Sequence, residues 1–185
     1  MALTETTDKP LGFEAPEFKL QDVVSGSMVG LNELRGSKAT VVMFICNHCP
    51  YVVHVREKLI ELARNYMAKG VGFIAISSND VVRYPDDSPQ KMKDLALELD
   101  FPFAYLFDET QTVARAYDAV CTPDFSVFDS DLKCVYRGRM DDSTPGNGKP
   151  VTGHDLSACL DALIAGKQLK EKQYPSMGCS IKWKK

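Results

Sequence analysis

The chain has 185 residues, 44% of them hydrophobic and 25% charged. That is the size and make-up of one folded domain of about 100–200 residues, and it excludes disorder for the bulk of the protein. Lys plus Arg total 22 against 25 Asp plus Glu, a net charge of −3. No broad basic field exists to grip a phosphate backbone, so nucleic acid is not an expected partner. The first ten residues carry acids and no apolar signal core, and no apolar run approaches the ~18 residues of a membrane span. The expected address is the cytoplasm, with no membrane partner, and the expected organisation is one domain over 1–185, with a flexible lead at 1–12 and a tail at 167–185 that packs on the body.

In chain order, Phe18 and Leu20 alternate with polar residues, and Ser25-Gly26 supplies a turn before Met28-Val29, which predicts a small β-hairpin. Ala39 to Ile45 is a continuous apolar run rich in β-branched residues, suited to a strand buried on both faces. From Pro50, the residues Val52, Val55, Leu59, Leu62 and Tyr66 step by three and four, which predicts a helix ending at Gly70. Val71 to Ile76 predicts a second buried strand, so strand, helix and strand form a right-handed parallel βαβ unit. Ser88-Pro89 opens a helix reaching about Leu99, followed by a short strand at Phe103–Phe107 and a short helix at Thr110–Tyr117. Phe125–Phe128 and Leu132–Tyr136 predict an antiparallel hairpin, and a last helix runs from Asp155 to Ala165, stopped by Gly166. The Pro- and Gly-rich segment Asp141–Gly153 reads as a loop. The predicted fold class is α/β, a central mixed sheet flanked by helices with an N-terminal hairpin extension.

Six cysteines stand at 46, 49, 121, 134, 159 and 179, and one pair has motif spacing: Cys46-Asn47-His48-Cys49, between the first central strand and the long helix. A sulfur at a helix start faces unpaired backbone N–H groups, which favour a thiolate. On this reading Cys46 sits at or near the N-cap as the solvent-facing nucleophile, Cys49 resolves from one turn further on, and a protonated His48 stabilises the thiolate. Two other readings are open for the pair: structural thiols, or half of a zinc site that would recruit Cys121, Cys179 and His54.

Four segments carry a resemblance: Ala15-Pro16-Glu17-Phe18, Phe44-Ile45-Cys46-Asn47-His48-Cys49-Pro50-Tyr51, Cys121-Thr122-Pro123-Asp124-Phe125 and Pro175-Ser176-Met177-Gly178-Cys179. Together they resemble the thioredoxin superfamily, in its peroxiredoxin-like, AhpC/TSA-related branch, over nearly the whole chain from about Leu11. The resemblance implies a thioredoxin-like fold in which Thr122-Pro123 is a cis-proline loop lying against the cysteine pair and offering backbone to a substrate peptide. It also places Cys121 near the pair, either as a resolving thiol or as a small packed residue. In peroxiredoxins the attacking cysteine is followed by proline, as Cys49 is here. The threonine three positions earlier is replaced by Cys46, the preceding proline by Val42, and the later arginine by Pro123.

The expected function is therefore a thiol-disulfide oxidoreductase acting through Cys46, Cys49 and His48, with Thr122 and Pro123 binding substrate and Cys121 and Cys179 as possible additional redox thiols. The alternative is a thiol peroxidase with Cys49 or Cys46 attacking peroxide; a redox-sensing or metal-binding module is a third reading. No cofactor and no metal are expected; the partners are a protein or small-molecule disulfide and a reductant, either a dithiol protein or glutathione. Cys134 and Cys159 read as core. Arg137 and Arg139 read as solvated or paired with acids such as Asp141 and Asp142, with a stand-in for the peroxide-pocket arginine as the alternative, His54 and His154 as solvated, and Asp86-Asp87 and Asp141-Asp142 as exposed turns or caps.

Overall fold

The structure is a computed structural model and describes residues 3–169 and 172–185. In chain order the elements are β1 (Leu3–Glu5), β2 (Lys19–Asp22), β3 (Met28–Gly30), α1 (Leu31–Leu34), β4 (Ala39–Phe44), α2 (Pro50–Met67), β5 (Val71–Ser77), a 3-10 turn (Pro85–Asp87), α3 (Pro89–Glu98), β6 (Ala104–Phe107), α4 (Thr112–Ala116), β7 (Cys121–Thr122), β8 (Asp124–Asp129), β9 (Cys134–Gly138), α5 (His154–Ile164) and β10 (Met177–Ser180).

Seven strands form the main sheet in the order β3-β2-β6-β5-β4-β8-β9, with β4, β5 and β6 parallel and β8 antiparallel to β4. β4 lies at its centre with all six residues buried, because its run of apolar side chains must be covered on both faces. The alternation of a strand sorts them: Val41 and Met43 face the core of α2, α3 and α5, whereas Val42 and Phe44 face the smaller core that holds Leu31, Val113, Ala114 and Tyr117. The buried stripe of α2 holds Val52, Val55, Leu59, Leu62 and Tyr66, the residues that its spacing singles out, together with Ile60 and Ala63.

The two ends of the chain depart from expectation or complete it in detail. Residues 3–5 belong to no flexible lead: they pair with β10 in a second, three-stranded sheet of order β1-β10-β7, with Leu3 opposite Cys179 and Glu5 opposite Met177. Their polar, short sequence carries no strand signal, and they become a strand because the tail strand needs a neighbour on its outer edge. The tail's β10 in turn pairs antiparallel with β7, Cys179 opposite Thr122 and Ser180 opposite Cys121. Within the tail, 170–171 lie outside the described residues.

Candidate functional site

Cys46, Asn47 and His48 form the loop between β4 and α2, and Cys49 is the N-cap of α2 with Pro50 in its first turn. This corrects the expected placement of Cys46 at the helix start. Pro50 pushes the residue before it out of the helical region, so the helix begins after the second cysteine. Cys46 is also not solvent-facing: it is 2% exposed and Cys49 0%.

The Thr122–Pro123 bond is cis, and it brings Thr122 against both sulfurs. Thr122 Oγ1 is 3.5 Å from Cys46 Sγ, and the Thr122 carbonyl oxygen is 3.2 Å from Cys49 Sγ. The two thiols both touch Thr122 and shift each other's ionisation in opposite directions, so a negative charge forms on one at the other's expense. That charge rests on Cys49, whose pKa is lowered by the Cys46 thiol, then by the Cys179 thiol, the Thr122 hydroxyl and the Val52 backbone N–H, against the opposing cost of burial. The Thr122 carbonyl disfavours a thiolate there, but the donors and the helix N-terminus outweigh it. The Cys46 thiol is pushed up by Cys49, by burial and by the charge of Asp87.

Asp87 is the residue that sequence reasoning missed. It is fully buried, where an exposed turn was expected, while its neighbour Asp86 is exposed and pairs with Lys91. The Asn47 backbone N–H donates to Asp87 Oδ1 at 2.8 Å and Asn79 Nδ2 donates to Oδ2 at 2.7 Å. His48 Nδ1 lies 2.7 Å from Oδ2 but off the direction of a good hydrogen bond, so the contact is chiefly one of charge when the ring is protonated. His48 therefore answers to Asp87 rather than directly to a thiolate, and its ring stacks on Tyr84 at 5.8 Å. Only its place ahead of Ser88-Pro89 in the chain singles Asp87 out, which gives no hint of burial.

Among the described residues, Cys46, His48 and Asp87 are one group that could hold a metal ion, their donor atoms lying within 4.8 Å of one another. Zinc would need them about 3–4 Å apart, together with a fourth ligand.

The remaining candidates separate clearly. Cys179, on β10, lies opposite Thr122 in the same buried cluster as Cys49 and so adjoins the site. Cys121 is buried facing Thr6 and the Pro123 carbonyl, its thiol pushed up by burial. Cys134 and Cys159 are core residues whose thiols burial raises to about 12. Arg137 is buried, donates to Thr7, Tyr117 and Asp118, and lies 3.9 Å from Asp124, so its partner is neither Asp141 nor Asp142. Arg139 pairs with Asp155 at 2.6 Å. Asp141, also expected to be exposed, is 4% exposed and accepts the N–H groups of Ser143, Thr152 and Gly153, which pins the long loop. His54 meets Ser143 Oγ at 2.7 Å rather than solvent alone. The strand edge at Thr122, expected to take a substrate peptide, carries β10.

A protein from Geobacillus kaustophilus is 59% identical over 100% of this chain and 97% of its own, with a TM-score of 0.98. A second, from Sinorhizobium meliloti, is 42% identical over 98% of each chain, with a TM-score of 0.95. The peroxidoxin BcpB of Mycobacterium tuberculosis is 19% identical over 84% of this chain and 96% of its own, with a TM-score of 0.62, a likeness of fold. Thiol-disulfide oxidoreductases share that thioredoxin-like fold at similar identity. No curated protein matches the chain. No helix among the described residues is long and apolar enough to cross a membrane. The AhpC/TSA family model matches residues 11–137, the span holding the cysteine pair, Asp87 and the cis-proline loop, and the chain belongs to the AhpC/TSA family.

Proposed function

We propose that the protein is a thiol-disulfide oxidoreductase whose working couple is Cys46 and Cys49. The observation that carries this is that Thr122 touches both sulfurs, its Oγ1 3.5 Å from Cys46 Sγ and its carbonyl oxygen 3.2 Å from Cys49 Sγ, so the two thiols stand together at the cis-proline loop. Cys46 attacks a substrate disulfide; its proton passes to Cys49, and one substrate sulfur leaves as a thiolate. Cys49 then attacks Cys46 in the mixed disulfide, giving its proton to the departing substrate thiolate. The Cys46–Cys49 bond forms as the mixed bond breaks: the dithiol has lost two electrons and the substrate disulfide has gained them. Thr122 and Asp87 keep the two sulfurs in register for the second step. The substrate is a protein or small-molecule disulfide, and a dithiol protein or glutathione restores the reduced pair, which suits a reducing compartment such as the cytoplasm.

A second reading, thiol peroxidase, rests on the Cys49 thiolate at a helix N-terminus followed by Pro50. Against it, Arg137 directs both of its terminal nitrogens to Thr7, Tyr117 and Asp118 rather than to that sulfur, where a guanidinium would stabilise a leaving oxygen. Insulin reduction with dithiothreitol as electron source decides between them. The oxidoreductase reduces insulin and loses this in Cys46→Ser. Rapid hydrogen peroxide turnover that survives Cys46→Ser and vanishes in Cys49→Ser would establish the peroxidase instead.

A further inference from the structure

The tail strand lies along the Thr122 edge beside the cysteine pair, the edge expected from the sequence to take a substrate peptide. β10 pairs with β7 beside the cis-proline, with Cys179 directly opposite Thr122, whose carbonyl oxygen lies 3.2 Å from Cys49 Sγ, and Cys179 and Cys49 share one buried cluster. This approach is built in. A Cβ at Gly178 would stand 2.0 Å from the Thr122 carbonyl oxygen, so only glycine lets the strand come so close. The strand is also fastened on both sides of Cys179. Leu3 pairs across from Cys179 and the Thr6 backbone N–H donates to the Ser176 carbonyl at 3.0 Å. Beyond the strand, the Lys182 N–H donates to Asn79 Oδ1 at 2.8 Å, and Gln111 Nε2 donates to the Lys182 carbonyl at 2.8 Å. Asn79 is the same residue that holds Asp87, so one side chain ties the tail to the Cys46 loop.

We propose that Cys179 is a third redox thiol of the site, an internal exchange partner that takes Cys49 into a Cys49–Cys179 disulfide and frees Cys46. The proposal rests on the dithiol reading of the Cys46–Cys49 pair. In the step, the Cys179 sulfur attacks Cys49 Sγ of the Cys46–Cys49 disulfide; the 49–179 bond forms, the 46–49 bond breaks, and Cys46 leaves as a thiolate that takes up the proton Cys179 gave up. No net oxidation occurs, and no further reactant is consumed. In the reduced protein the Cys179 thiol is held protonated by burial and by the charged sulfur of Cys49. Once Cys49 is bound in a disulfide that charge is gone, and the nearby Lys182 ammonium favours a thiolate at 179. The enzyme thus holds its oxidised state in two positions, one of which releases Cys46 as a free thiol.

The test is peptide mapping by mass spectrometry, without reduction, of the full chain oxidised with diamide. Wild type is expected to show both the 46–49 and the 49–179 linkage, and Cys46→Ala to show 49–179 with the loss of two titratable thiols. Cys49 left free in Cys46→Ala, or joined to Cys121, overturns the proposal. The dithiol reading is decided separately: it fails when wild type yields no 46–49 linkage, and the Cys46→Ala map still settles Cys179. The wild-type map needs no variant, so a folding defect in Cys46→Ala cannot hide the answer.

Discussion

Asp87 Oδ2 stands 2.7 Å from His48 Nδ1, on a carboxylate with no exposed surface that reaches within 4.8 Å of Cys46 Sγ. The Asp87 carboxylate repels a thiolate at Cys46, and His48 lies against that carboxylate, where a positive charge on the ring would offset it. Removing each should move the site in opposite directions.

Asp87→Asn removes the repelling charge and is expected to lower the Cys46 pKa. Iodoacetamide labelling of Cys46 as a function of pH should shift to lower pH, and the reduction potential should become less negative. Because Asn79 and the Asn47 N–H lose a charged acceptor, stability should fall by about 1–3 kcal/mol in urea denaturation. A labelling profile identical to wild type would show that the Asp87 charge does not reach the sulfur.

His48→Ala leaves Asp87 unopposed and takes away the ring that stacks on Tyr84. The reduced pair loses a stabiliser that the disulfide does not need, so the potential should become more negative, by roughly 30 mV for every 1.4 kcal/mol. A glutathione titration reads this directly, and a shift in the same direction as Asp87→Asn would contradict the pairing described above.

Gly178→Ala places a methyl group 2.0 Å from the Thr122 carbonyl oxygen and 2.7 Å from its carbon, against backbone that has no flexible atom to give way. The tail strand must lift. Stability is expected to drop by about 2 kcal/mol or more, and Cys179, 6% exposed in the native chain, should become open to maleimide labelling. Wild-type labelling of Cys179 in this variant would mean that the strand can approach the cis-proline loop without the glycine.

Asp124, next to the cis-proline, is 2% exposed, and burial raises its pKa from 3.8 to about 7, with Arg137 pulling the other way. Below pH 3.8 both folded and unfolded chains hold the proton and the contribution to stability is intact. As pH rises toward 7 the unfolded chain releases the proton and the folded chain keeps it, so stability falls, by at most about 1.4 kcal/mol per unit, and levels off above the folded pKa. Asp124→Asn should remove that slope. Urea midpoints of the two proteins, compared between about pH 4 and about pH 8, should diverge in favour of the variant as pH rises; parallel curves would show that Asp124 is ionised throughout.

What the sequence by itself determined is whatever depends on near neighbours in the chain. The β-branched run at 39–45, the three-and-four spacing from Val52 to Tyr66 and the apolar run from Val71 specify β4, α2 and β5, because burying those faces leaves no other regular arrangement. The same local logic puts the cysteine pair at a strand-to-helix junction, and Pro50 already contains the reason why the helix starts after Cys49. Tertiary structure alone decided which sulfur carries the charge, since that depends on donors and charges from four separate segments: Val52, Asp87, Thr122 and Cys179. It also decided that Asp87 is buried while Asp86 is not, and that Leu3–Glu5 is a strand. Each of these follows from desolvation and hydrogen bonding between residues distant in the chain, quantities that no local pattern of residue types encodes.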